Sequence, residues 1–194
     1  MRFGSVVRAM AAGCVAALLG VAWAAVAQAE PESGAVSEEP AFAGTNGEYI
    51  EADSPEEAVR VYEQSRRGGA AVQATYEKAP CKLTTQHMHT RTSGNKKTIG
   101  HKPTTACSVR VSKITHGNSA DYRWGPGLWV AAHTQVASRN NLSKWTQTDF
   151  EFTCGKIPSE NTSWVGWTAG TVLWNGKNYH SIISTPQAEL KCKP

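Results

Sequence analysis

The sequence predicts an all-β protein, a small antiparallel β-sandwich or barrel of seven to eight strands stapled by two disulfides. Three observations predict it. After Pro80, apolar and polar residues alternate with period two. Turn-forming residues recur there about every ten positions, the spacing of short strands in sandwiches and small barrels. Four of the five cysteines lie in the same region.

Residues 1–29 read as a signal peptide. Arg2 and Arg8 flank the start of an uncharged apolar run from Ala9 to Val26, and Ala27-Gln28-Ala29 supplies the small side chains that signal peptidase accepts. Cleavage is expected after Ala29. The run is rich in alanine and glycine, too weakly hydrophobic to persist as an anchor. The mature chain is therefore expected to be a secreted, extracellular bacterial protein with no stable membrane anchor. Its removal leaves Cys81, Cys107, Cys154 and Cys192. An even number of cysteines in an exported chain reads as two disulfides. Three pairings are possible, and Cys81–Cys107 with Cys154–Cys192 is favoured because each links segments close in sequence. No Cys-x-x-Cys pair exists to begin a metal site.

Residues 30–80 form an acidic leader, with 11 acidic and 4 basic residues. The stretch from Glu30 to Gly47 is rich in Glu, Ala, Gly, Ser and Pro, a composition that predicts disorder. One short helix, near 55–67, is expected inside the leader. Ser54-Pro55-Glu56-Glu57 is a capping box with proline at the first helical position, and Gly68-Gly69 ends the run. Two readings of the leader compete, a spacer and a pro-segment cut near Arg66-Arg67 whose negative charge shields the rest.

Residues 81–194 are expected to be the disulfide-stapled β-domain, with 5 acidic and 14 basic residues and a net charge of +9. Strands are expected at Lys82–Arg91 and Lys96–Lys102, joined across Ser93-Gly94-Asn95. From Cys107 to Lys113, Cys107, Val109 and Val111 make the apolar face. From Leu128 to Arg139 the apolar set is Leu128, Val130, Ala132, Thr134 and Val136, which puts Trp129, His133 and Gln135 on the opposite face. Asn140-Asn141 then reads as a hairpin turn into a strand from Leu142 to Cys154. A second hairpin spans Thr171–Ile183 about Asn175-Gly176, whose residue types suit a type I′ turn. A last strand lies near Ala188–Cys192.

The order Cys81, Lys102-Pro103-Thr104-Thr105-Ala106-Cys107, Cys154, Trp174-Asn175-Gly176-Lys177-Asn178-Tyr179 and Cys192 resembles small secreted actinobacterial proteins of uncharacterised function that carry a four-cysteine β-domain. The resemblance implies a shared exported β-fold and carries no catalytic residue across.

Several chemistries lack their residues. There is no Gly-x-Ser-x-Gly elbow, His-Glu-x-x-His helix, phosphate-binding loop or dinucleotide fingerprint. Two disulfides would consume every mature thiol. A glycosidase would have to draw on few carboxylates, chiefly Asp149 and Glu151. His87-Met88-His89 puts two imidazoles on one side of a strand, with His101 as the nearest third ligand, but no cysteine or carboxylate stands near to complete a site. No metal and no cofactor are expected, and no catalytic residues are assigned. The candidate ligand face is Trp129, His133, Gln135, Trp145, Gln147 and Asp149, gathered if the strands about Asn140-Asn141 pair as a hairpin. Flat tryptophans stack on sugar rings or bases, and the positive charge favours anionic chains. The expected function is an extracellular binding or interaction module for an anionic wall polymer or glycan, with nucleic acid a further ligand class. A small secreted hydrolase and a disulfide-braced inhibitor presenting Arg123–Trp129 are the competing readings.

Overall fold

The computed structural model describes residues 36–37, 44–68, 76–92, 97–125, 128–155 and 161–194, with the backbone alone at 36–37 and 65–68. The signal-peptide reading of residues 1–29 lies outside the described residues. So does most of the stretch from Glu30 to Gly47.

In chain order the elements are β1 (Val36–Ser37), β2 (Asn46–Glu51), α1 (Pro55–Gly68), β3 (Lys78–Thr84), β4 (His89–Arg91), β5 (Thr98–Gly100), β6 (Thr104–Trp124), β7 (Leu128–Thr146), β8 (Phe152–Thr153), β9 (Thr162–Trp174), β10 (Lys177–Ser184) and β11 (Ala188–Leu190). The main sheet has eight antiparallel strands in the order β1-β7-β6-β3-β2-β10-β9-β11, and β6 pairs with β9 as well. That extra pairing closes β6, β3, β2, β10 and β9 into a five-stranded barrel. The closure works because β6 is 21 residues long. Its start, Thr104–Cys107, pairs with β3, while Lys113–Tyr122 pair with β9. Closure removes the open edges that a flat sheet of these strands would expose.

The barrel core holds Tyr49, Leu83, Ile114, Val172, Tyr179 and Ile183. Tyr49 crosses this interior because Gly170 faces it. A Cβ at Gly170 would strike the Tyr49 hydroxyl. Cys81 and Cys107 face each other across β3 and β6 and form one disulfide. The second core packs Met88, Ile99, Phe150 and Trp164 beneath the small sheet β4-β5-β8, and Cys154–Cys192 closes it. Both bridges follow the favoured pairing and fit an oxidising compartment. Among the described residues no helix is long and apolar enough to cross a membrane.

The hairpin at Asn175-Gly176 forms as expected. Asn175 and Gly176 have φ of 50° and 77°, and Lys177 faces Trp174. The helix also forms where the capping box placed it. The Glu57 amide donates to Ser54 Oγ at 3.2 Å, and Glu57 Oε2 accepts from the Asp53 amide at 2.7 Å. Ala58 and Val61 bury against Ile50 and Ala52, so α1 docks on the barrel wall.

Three expectations are corrected. The ordered β-fold starts before Cys81: β2 is a barrel strand between β3 and β10, and its Tyr49 and Ile50 are fully buried. Composition averaged over the leader hid a strand in which Glu48 and Glu51 flank the two core residues Tyr49 and Ile50. Asn140-Asn141 is no hairpin turn. Asn141 does take a positive φ of 56°, but within a continuous β7 whose partner is β6, and the chain reverses instead at Gly125, φ 65°. The strand expected from Leu142 to Cys154 thus stops at Thr146. Finally, the faces of β7 are exchanged past a bulge at Ala132: Val136, expected in the core, is 74% exposed, while His133 and Gln135, expected outside, are partly buried.

Candidate ligand-binding site

The six residues expected to share an outer face do not. Ala120 faces His133 and Asp121 faces Ala131, so Ala132 is left over in a bulge. Side chains alternate along a strand, and one extra residue swaps their sides. Trp129 consequently lies on the face opposite His133 and Gln135, and it is only 4% exposed. Gln147 is 1% exposed and hydrogen-bonded inside the fold. Trp145 is half-buried and stacks on His116 with ring centroids 4.4 Å apart and planes within 8°. His133 stacks on Phe150 at 5.5 Å, and its strand partner is Ala120 rather than Asp149. Gln135 is half-buried opposite Asn118, and Asp149 is exposed. The set is dispersed between the core and two faces.

One of these residues, Gln147, belongs instead to a polar network running through the barrel. The Thr168 hydroxyl donates to Asn118 Oδ1 at 2.8 Å, so it accepts from His101 Nε2–H at 2.9 Å. Asn118 Nδ2 donates to Gln147 Oε1 at 2.8 Å. Thr105 Oγ1 bridges the Tyr49 hydroxyl at 2.6 Å and His116 Nε2 at 2.7 Å. Burial pushes both imidazoles down to about 4, so each is neutral at pH 7. The like charges of His116, His89 and Arg91 act on His101 in the same direction. A Cβ at Gly166 would meet His101 Nδ1 at 2.5 Å, so that glycine makes room for the ring. Fully buried, these groups hold the barrel together and present nothing to a ligand.

The histidine cluster does not assemble either. His89 Nδ1 lies 2.9 Å from the His87 carbonyl, and His101 is turned inward to Thr168. Among the described residues no three His, Cys, Asp or Glu side chains gather around one point. Glu151 pairs with the buried Arg91 at 3.1 Å.

A concave surface lies elsewhere, at the end of the β6–β7 ribbon. Tyr122, Arg123, Trp124 and Gly125 from β6 and its turn, Asn161, Thr162 and Ser163 at the start of β9, and Lys193 and Pro194 line a cleft of about 630 Å³. Each wall has a structural reason to stand where it does. Tyr122 packs on Trp164, centroids 5.6 Å apart, and Trp164 is fixed by its indole N–H donating to the Cys192 carbonyl at 3.0 Å. Cys192 is tied to Cys154, and the Gly155 amide donates to the Lys193 carbonyl at 2.8 Å, which seats Lys193 on the rim. Trp124 meets Tyr122 edge-on at 6.3 Å and is 64% exposed. Beside them Glu189 accepts from Ser163 and Gln187, and these bonds hold its carboxyl below the usual range, with Arg123 adding to the effect. It is ionised near neutrality and in no state to act as a general acid.

Sequence reasoning gave Trp124 only within the Arg123–Trp129 loop of the inhibitor reading and left it out of the ligand face, though a signal was present. Gly125-Pro126-Gly127 is a stronger reversal signal than Asn-Asn, and it places Trp124 at a ribbon tip. Compared with family models, curated proteins and solved structures, the chain matches none.

Proposed function

We propose that the protein is an exported binding module that takes an anionic, sugar-containing polymer of the extracellular or cell-wall matrix into the cleft at the tip of the β6–β7 ribbon. The observation that carries this reading is Trp124, a large aromatic ring 64% exposed at the mouth of a cleft that also holds Tyr122, Arg123 and Lys193. An indole face left in water is offset when a sugar ring covers it, and two cations at the same mouth favour anionic groups along the chain. From Gly44 onward the chain carries 18 basic and 12 acidic residues, a net charge of +6 that attracts such polymers over longer range.

Retention on purified cell-wall material, compared at low and high salt, tests the reading. Trp124→Ala is expected to lose most of the retention, and Arg123→Gln with Lys193→Gln to remove its salt dependence. Equal retention of all three proteins would overturn the cleft as the site. Retention on nucleic acid but not on wall material would overturn the ligand class.

A further inference from the structure

The exchange of faces in β7 past Ala132 leaves Val136 where neither the core nor the cleft uses it. Val136 sits in the middle of a 19-residue strand and is 74% exposed, with Thr134 exposed beside it. One edge of β7 pairs with β6. Among the described residues the other edge is paired only at Trp129 and Val130, by β1. From Ala131 to Thr146 no strand is described on that edge and no proline interrupts it; the Ser138 carbonyl accepts from the Arg139 side chain and the Asn141 carbonyl from Arg110, and from Ala131 to Ala137 no such contact is described. Long open edges of this kind are normally blunted.

We propose that this edge joins a second copy of the chain, β7 against β7, across a two-fold axis through Val136. The register follows from the strand itself. His133 to Asn140 pair with β6 without a break, so this stretch is regular and free of bulges. A two-fold axis perpendicular to the sheet keeps each residue on its own face, so only residues of the same parity can meet. Centring on Val136 sets Val136 opposite itself, Gln135 opposite Ala137, Thr134 opposite Ser138 and His133 opposite Arg139. Each exposed valine then covers its twin, hydroxyls face hydroxyls, and no two Lys or Arg side chains oppose one another. Centring one residue later would set Val136 against Ser138 and forgo the apolar pair. The sequence is thus self-complementary about the very residue that the monomer leaves exposed.

The experiment is sedimentation of the purified protein over a wide concentration range. The mass is expected to double as concentration rises. Val136→Lys puts two ammonium groups face to face and is expected to stay at monomer mass throughout, with an unchanged circular dichroism spectrum. Val136→Cys supplies an independent reading. Facing residues of an antiparallel pair lie about 5 Å apart, within disulfide reach, so mild oxidation is expected to give a covalent dimer. Val109→Cys, exposed but off this edge, is expected to stay uncrosslinked. Monomer mass at every concentration overturns the proposal. So does a dimer that survives Val136→Lys, which would place the interface elsewhere. A chain that dimerises only after residues before Gly44 are removed assigns the edge to the leader and overturns it too.

Discussion

Lowering the pH should unfold this barrel from the inside, through His101 and His116. Both are fully buried, and burial holds their folded-state pKa at about 4 against an ordinary 6.5. The unfolded chain therefore takes up protons first as pH falls below about 6.5, while the folded chain resists until about 4. Stability is complete above that window and is lost on the way down through it. Each histidine contributes about 3 kcal/mol over the window, or about 1.4 kcal/mol per pH unit where its protonation differs fully. The two together approach the whole stability of an ordinary domain. His180, also depressed by burial, acts in the same direction. Asp121, raised by burial, opposes it, because protonation relieves its penalty. The depressed carboxyls of Glu56, Glu77 and Glu189 contribute stability that disappears only below the ordinary carboxylate range. Urea midpoints taken from neutral pH down to about pH 4 measure the slope. His116→Gln keeps a side chain able to meet Thr105 but cannot titrate. It should cost stability at neutral pH and reduce the slope by about one proton's worth. A flat profile in the wild type, or an unchanged slope in the variant, would refute the reasoning.

Two further outcomes follow from the packing. Replacing Gly170 by alanine drives a Cβ into the Tyr49 hydroxyl, and overpacking of this kind costs about 1–3 kcal/mol. Chemical denaturation should show the loss, with partial recovery when Tyr49→Phe is added. No loss in Gly170→Ala would mean that the Tyr49 ring has room to move. Removing Cys154–Cys192 as a serine pair opens a bridge between residues 38 apart in sequence. The loss should be about 3–4 kcal/mol in the chain-entropy picture, and the unseated Lys193 should weaken wall retention beyond the stability effect. Full retention by the folded serine variant would remove Lys193 from the site.

What could be read from the sequence was local. The Asn175-Gly176 turn needs two adjacent residues that tolerate positive φ, and the start of α1 needs a hydroxyl and a carboxylate three positions apart. Each is a complete geometric instruction within a few residues. The faces of β7 are different, because period-two reasoning runs only as far as the next bulge. A single unpaired residue, Ala132, sends Trp129 and His133 to opposite sides, and nothing in the identity of that alanine announces it. Asn141 misled for a physical reason: it does adopt a left-handed backbone, but inside a strand whose partner β6 was set by the reversal at Gly125. Both the barrel and the cleft depend on that choice of partner. Once β6 rather than the segment after Asn141 lies beside β7, Trp145 folds inward onto His116 while Trp124 is carried to the ribbon tip. The tryptophan in the cleft was therefore decided by strand pairing over long range, which local residue preferences do not encode.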